Sequence, residues 1–321
     1  MKAQITGQTR TKSVSKKPLF GALLCLACII QFIPFLSGKF QDEGLNRILH
    51  LDKIEEKPVM HTFFERLPGN DEEEKLLRSW TKAWEDAGFE TRILSLNDAR
   101  KHPSWTEIRS LVNDNVGREG NEHSKLYNEM CYYRWFAMAT IEGGGWMSDF
   151  DTFPLNFPIH LTKELPNGGR FTSQELFVPS LMSASKEEWN RVAMLVVDAI
   201  NDIPIEEEEG AIISDMYSLR QVFWNSRNGK DKDVHEKKAL FERGIASGYN
   251  YSKKGKVDCD AVKDKFAAHL SHSYSARAIQ EGTYPIKIKK GNNMFRAEAS
   301  YIYMKAFRKQ CKNIPMITQT S

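Results

Sequence analysis

The chain has 321 residues, 41% of them hydrophobic and 27% charged, which is ample material for a core. Its formal net charge is +3, but Lys2, Arg10, Lys12, Lys16 and Lys17 supply more than that within residues 1–17, so the remainder is slightly acidic. That balance excludes a nucleic-acid-binding protein, whose folded body would carry a clustered basic face.

Residues 1–17 read as a basic cytoplasmic tail and residues 18–37 as a transmembrane signal anchor. Leu19 to Leu36 is apolar apart from Gln31, near the about 17–25 residues that a membrane-spanning helix needs. Basic residues precede the run, and Asp42 and Glu43 follow it, which places the N-terminus in the cytoplasm. The expectation is a single-pass type II protein of the Golgi or ER membrane. Residues 38–56 form its polar stem and 57–321 its luminal catalytic body. A cleaved signal peptide, cut near Ser37-Gly38, is the alternative. Either puts the body in the lumen, where Asn250-Tyr251-Ser252 is a glycosylation sequon. Cys25 and Cys28 fall in the anchor and Cys131 in a helix. Cys259 and Cys311 remain as a candidate pair in an oxidising lumen, with free thiols as the alternative.

Val59 to Phe64 is a short strand after Pro58. Asp71 to Ala87 follows as a helix, with acids in its first turn, Leu76, Leu77, Trp80 and Trp84 on one side, and Gly88 as its stop. Phe89 to Leu96 is a second strand. Ser124 to Ile141 is an amphipathic helix, on which Leu126, Met130, Tyr133, Ala137 and Ile141 recur at spacings of three and four. Gly143 and Gly144 end it, and the strand Trp146 to Phe150 follows. Phe171 to Val178 reads as a further strand, Lys186 to Ile203 and Ser214 to Trp224 as helices, and 226–257 as an exposed polar excursion. The alternation implies a layered α/β fold with a mostly parallel sheet.

The chemistry is concentrated at Trp146-Met147-Ser148-Asp149-Phe150-Asp151. Alternate side chains of a strand share one side, so Asp149 and Asp151 can converge on one point. Two hard oxygen ligands there suit a divalent cation that itself holds a diphosphate. Farther on, Ala267-Ala268-His269-Leu270-Ser271-His272 offers a third contact from His269 or His272. Asp215, near a helix start, reads as a cap or surface acid.

These residues resemble the glycosyltransferases that carry a DXD sugar-binding motif, a family including yeast Golgi mannosyltransferases and vertebrate α-1,4-N-acetylglucosaminyltransferases. Arg134-Trp135, Gly143-Gly144, Trp146 and Asp149-Phe150-Asp151 match its pattern in order, and Pro58 to Phe63 is similar to its first strand. Cys131 stands where that family often has an Asp. The resemblance implies a GT-A-like fold and a sugar transfer from a nucleotide-sugar donor to a glycan or glycoconjugate acceptor, with retention of configuration. It implies Mn²⁺ (or Mg²⁺) as cofactor, on Asp149 and Asp151 with His269 or His272. It further implies donor contacts from Arg134, from His61, Thr62 and Phe63 near the base, and from the segment Gly143, Gly144 and Trp146. Arg134 has an equal reading as a salt bridge fixing helix to sheet. Two other classes share the motif's appearance. One is a haloacid-dehalogenase-like phosphohydrolase, in which a Thr or Val stands four residues after the first Asp, where this chain has Phe153. The other is a luminal sugar-nucleotide-binding protein without catalysis.

Overall fold

The computed structural model describes residues 57–67, 71–116, 122–158, 161, 164–202, 213–227, 240–242, 244–246, 252–253, 256–282, 284 and 296–312. The tail, the apolar run, the stem and Asn250 of the sequon lie outside them. Among the described residues no helix is long and apolar enough to cross a membrane.

The first half of the body runs β1 (Val59–Phe63), α1 (Asp71–Asp86), β2 (Glu90–Leu94), α2 (Leu96–Ala99), α3 (Trp105–Asn115), α4 (Glu122–Ala139), β3 (Gly145–Ser148) and β4 (Thr152–Pro154). Next come β5 (Thr172–Ser173), β6 (Leu181–Ala184), α5 (Lys186–Asp198), α6 (Asp215–Arg227), β7 (Leu240–Phe241) and β8 (Ile245–Ala246). The last elements are β9 (Ser252–Lys253), β10 (Lys256–Val257), α7 (Cys259–Val262), β11 (Ala267–His269), α8 (His272–Gln280) and α9 (Arg296–Gln310).

The main sheet is mixed, in the order β2-β1-β3-β6-β5-β7. Strand β1 is parallel to both β2 and β3, and β5 to β7, whereas β6 runs antiparallel to β3 and β5. A second sheet, β4-β11-β8, carries the chain leaving β3. Alternate residues of the main sheet feed two cores. Phe63, Met147 and Met182 pack with Trp135, Phe136 and Trp189 of α4 and α5. Met60, Trp146 and Leu181 pack with Trp80, Trp84 and Phe307 of α1 and α9.

Helix α4 is not the amphipathic surface helix that its spacing predicts. Tyr132 through Ala139 are all buried, because α2, α3, α5 and α6 cover what would be its polar side. The segment 171–178 is strand only at Thr172–Ser173. Leu176, with φ of 52°, turns the chain out of the sheet. The strand Leu181–Ala184 was not expected, yet its end carries a signal. Ser185 caps α5, its hydroxyl accepting from the Glu188 amide at 3.3 Å. Part of the expected excursion is structural too, since Leu240–Phe241 extends the main sheet and Ile245–Ala246 the second. Cys259 and Cys311 are joined, with Cα atoms 5.5 Å apart, and Cys131 is free. The bridge ties α7 to the far end of α9. By loop-closure entropy, closing a loop across a separation of 52 residues contributes about 4 kcal/mol.

Candidate metal centre

Asp149 and Asp151 stand just past β3, in the tight turn into β4, and not on the strand itself. The Thr152 amide donates to the Asp149 carbonyl at 2.9 Å, closing that turn. The turn brings the two carboxylates together, where simple alternation along a strand was expected to do so. Two further backbone bonds fix it. The Asp149 amide donates to the Ser180 carbonyl at the start of β6, and the Leu270 amide to the Asp151 carbonyl, each at 2.9 Å. The antiparallel register pairs Thr152 with His269, so the last residue of β11 lies beside the acidic turn.

Asp149, Asp151 and His269 form a cluster whose ligand atoms lie within 4.8 Å of one another. His269 Nε2 is 3.4 Å from Asp151 Oδ1, and that oxygen is buried without a hydrogen-bond partner among the described residues. Two ligands on one ion at bonds of about 2.1 Å are about 3.0 Å apart at a right angle and about 3.4 Å apart at a tetrahedral one. The separation and the mixed carboxylate–imidazole donor set therefore fit a divalent cation. His269 Nδ1 donates to Glu175 Oε2 at 2.8 Å, and Glu175 also accepts from the Ser180 hydroxyl. A carboxylate on the far ring nitrogen fixes which nitrogen faces the site and raises its basicity, as around metal-bound histidines.

Two arginines complete the network. Arg134 donates from Nε at 2.8 Å and from Nη2 to Asp215 Oδ2, and from Nη1 to Asp149 Oδ1. Trp135 Nε1 donates to the same Asp215 oxygen at 2.8 Å. Arg134 thus locks α4, α6 and the acidic turn together, in line with its salt-bridge reading. Asp215 is buried, 2% exposed, which corrects its assignment as a cap or surface acid. Arg296, the first residue of α9, donates from Nη2 to Asp151 Oδ2. Four carboxylates in this contacting network face two guanidinium groups, an imbalance of two negative charges before His269 is counted.

Burial raises the Asp149 carboxyl above the usual carboxylate range, against the pull of Arg134, and Asp151 adds to the rise. Burial also works to raise Asp151, but His269 and then Arg296 outweigh it and hold it low. Burial opposes charge on His269, yet Asp151 and Glu175 win and raise its pKa well above the ordinary value.

The site opens into a cleft of about 630 Å³, open solvent at its mouth included. One face of α4 lines it with Tyr127, Met130, Cys131 and Arg134, at helical spacing. The end of β1 contributes Phe63 and Phe64, and Phe64 packs edge-on against Phe150 at 5.5 Å. Burial pushes the Cys131 thiol up, so it is no nucleophile there.

The structure thus brings together Asp149, Asp151, Arg134, Phe63 and His269. The remaining sequence candidates sit elsewhere. His61 is 3% exposed and donates from Nδ1 to the Trp146 carbonyl at 2.9 Å. Burial lowers its pKa to about 4. Thr62 and Trp146 are buried inside the sheet. Gly143 and Gly144 form the turn at the start of β3, the acids stand past its end, and a four-residue strand separates them by roughly 13 Å. Those glycines serve the turn. His272 is exposed at the first position of α8 and outside the cluster. Sequence reading missed Glu175 and Arg296 altogether; neither has a local pattern.

A family model described as a domain of unknown function (DUF8765) matches residues 34–159. No curated protein and no solved structure matches the chain. The matched stretch contains β1, Arg134 and the acidic turn, and stops before Glu175, Asp215, His269 and Arg296.

Proposed function

We propose that the chain is a metal-dependent glycosyltransferase with a GT-A-like body, moving a sugar from a nucleotide-sugar donor to a glycan or glycoconjugate hydroxyl. The apolar run before the body is its signal anchor in the Golgi or ER membrane. The observation that carries the reading is the cluster of Asp149, Asp151 and His269, whose two aspartates line an aromatic-walled cleft together with Arg134 and Arg296.

Asp149, Asp151 and His269 would hold Mn²⁺ or Mg²⁺. Bound there, the ion supplies charge neutralisation as the sugar–phosphate bond breaks and the diphosphate becomes more negative. Glu175 keeps Nε2 of His269 turned to the site. Arg134, held by Asp215, keeps the Asp149 carboxylate from rotating. The aromatic wall excludes water from one side, which strengthens each electrostatic contact inside. With Arg134 fully engaged in ion pairs, the chain's own contribution to donor binding falls on the cleft wall and on Arg296.

The test uses the full chain in detergent, a panel of nucleotide sugars, and Mn²⁺ against EDTA. Donor hydrolysis or transfer with Mn²⁺, lost on chelation and in Asp151→Asn, is expected. Activity that survives both rules the mechanism out. A covalent aspartyl-phosphate on Asp149 would instead favour the phosphohydrolase class, and nucleotide-sugar binding without turnover a binding protein.

A further inference from the structure

The two arginines of the site are held in different ways. Arg134 uses Nε, Nη1 and Nη2 on two carboxylates, and one of these is braced by Trp135. Among the described residues Arg296 makes a single ion pair, through Nη2 to Asp151. Its Nε is buried and has no hydrogen-bond partner among the described residues. A guanidinium offers five N–H donors in a planar fork, best matched by two parallel bonds to a carboxylate or phosphate. Arg296 is thus under-used where it stands, and it lines the same cleft as Asp149 and Asp151.

Its backbone is well fixed. It opens α9, whose opposite end is tied by Cys311 to Cys259, and α9 packs along α1. The Ser300 hydroxyl donates to the Arg296 carbonyl at 2.8 Å. The side chain can change partners while its Cα stays in place.

We propose that Arg296 is a displaceable counter-ion of this site, holding Asp151 while the cleft is empty and turning to the donor's diphosphate once a divalent cation takes that carboxylate. The inference rests on the nucleotide-sugar reading above. A cation on Asp151 repels the guanidinium a few ångströms away, and it removes the attraction that held it. The incoming diphosphate offers the bidentate partner that Asp151 does not supply, and charge-assisted pairs of that kind are about twice as strong as neutral ones. Arg296 therefore opposes metal binding when metal comes alone and favours binding of metal and diphosphate together. Free metal is held weakly, and the loaded donor strongly.

The opposite signs of those two effects make the test. Mn²⁺ binding to the full chain is measured by the loss of the free-ion electron paramagnetic resonance signal, with MnCl₂ alone and then with UDP or GDP added. In Arg296→Gln, Mn²⁺ alone binds roughly tenfold more tightly, and the better of the two nucleotides, in saturating Mn²⁺, binds roughly tenfold more weakly, from the size of one charge-assisted bond. Arg296→Lys, which keeps the charge but loses the fork, restores the Mn²⁺ value and only part of the nucleotide affinity. A merely structural role would shift both affinities the same way or neither. If the wild type binds Mn²⁺ and nucleotide but Arg296→Gln leaves both unchanged, or weakens both, this inference falls and the parent reading stands. If the wild type takes up no Mn²⁺ at all, the parent reading falls and takes this one with it.

Discussion

Gly143 and Gly144 have nearly the same φ and very different surroundings, which makes them a matched pair. Their φ values are +75° and +72°, both in the left-handed region, where a Cβ costs about 1–2 kcal/mol. Replacing glycine by alanine also removes freedom from the unfolded chain, which returns about 0.4–1 kcal/mol. Gly143→Ala meets nothing within 4 Å, so its net cost is about 0–1.6 kcal/mol. At Gly144 a Cβ falls 2.3 Å from the Ala184 carbonyl oxygen, 2.6 Å from Ser185 C and 2.7 Å from Lys186 N. All three are backbone atoms of the β6–α5 junction and cannot rotate away. Forcing such an overlap adds about 1–3 kcal/mol, so Gly144→Ala loses about 1–5 kcal/mol in total.

The assay is urea unfolding of the full chain in detergent, followed by tryptophan fluorescence, with the m-value checked for constancy. A shared cost, within about 0.5 kcal/mol for the two variants, would refute the close approach of the turn to the β6–α5 junction. The consequence reaches the site, because β3 leads from this turn into Asp149, and β6 begins beside Ser180, whose carbonyl holds the Asp149 amide. Parting β3 from β6 loosens the acidic turn, so Gly144→Ala should also weaken Mn²⁺ binding while Gly143→Ala leaves it alone.

Glu175→Gln keeps the shape but removes the charge behind His269, and Mn²⁺ affinity should fall about 10–100-fold; an unchanged affinity in the resonance titration would show that His269 is no ligand. Asp215→Ala strips Arg134 of one of its two carboxylates in a buried setting, a loss of about 3–5 kcal/mol in unfolding free energy; a loss under about 1 kcal/mol would mean that water reaches Arg134. His61 is neutral in the fold, with its pKa lowered to about 4 against 6.5 for the free side chain. The unfolded chain therefore binds the extra proton between those values, so its contribution is whole above pH 6.5 and is lost as pH falls toward 4. At 1.36 kcal/mol per pH unit the loss reaches about 3 kcal/mol. Unfolding curves for wild type and His61→Gln should converge across this window on acidification, and parallel curves would contradict the buried neutral ring.

What was legible in the sequence was local. Asp149 and Asp151 stand one residue apart after a helix, a glycine turn and an apolar strand, all within one short stretch. The helices at 71–86 and 186–198 announce themselves by apolar spacing and acidic first turns. His269 was visible as one of two candidates, and the β4–β11 register chooses it over His272. That register depends on the second sheet, which no short pattern encodes. Asp215 has the same local signature as any acid opening a helix. Only its pairing with Arg134 and Trp135, 81 and 80 positions away, distinguishes it from a surface cap. Arg134 itself lies on a helix whose periodicity implied a solvent face, and tertiary cover by α5 and α6 overrode that pattern. Residues 105–115 carry Ile108, Leu111 and Val112 at helical spacing, so α3 was within reach of the same reasoning that found its neighbours.

The charge balance explains why the distant residues belong to one site. Carboxylates taken out of water are costly unless paired, and the partly buried Asp149, Asp151 and Glu175 and the buried Asp215 lie in one contacting network, with Arg134, Arg296 and His269 alone against them among the described residues. A protein needing only a stable interior has a simpler solution, since apolar residues of similar volume are often as stabilising as a buried ion pair or more so. Retaining four acids with two arginines is economical when a doubly charged cation supplies the difference. Arg134 and Asp215 make the rigid part of that arrangement, sealed between α4 and α6. Asp151 and Arg296 make the adjustable part, because among the described residues one Asp151 oxygen has no hydrogen-bond partner and Arg296 has one contact to give up. Asp149, Asp151 and Arg296 all face the cleft from which a cation would enter, and the Arg134–Asp215 pair keeps Asp149 in place to receive it.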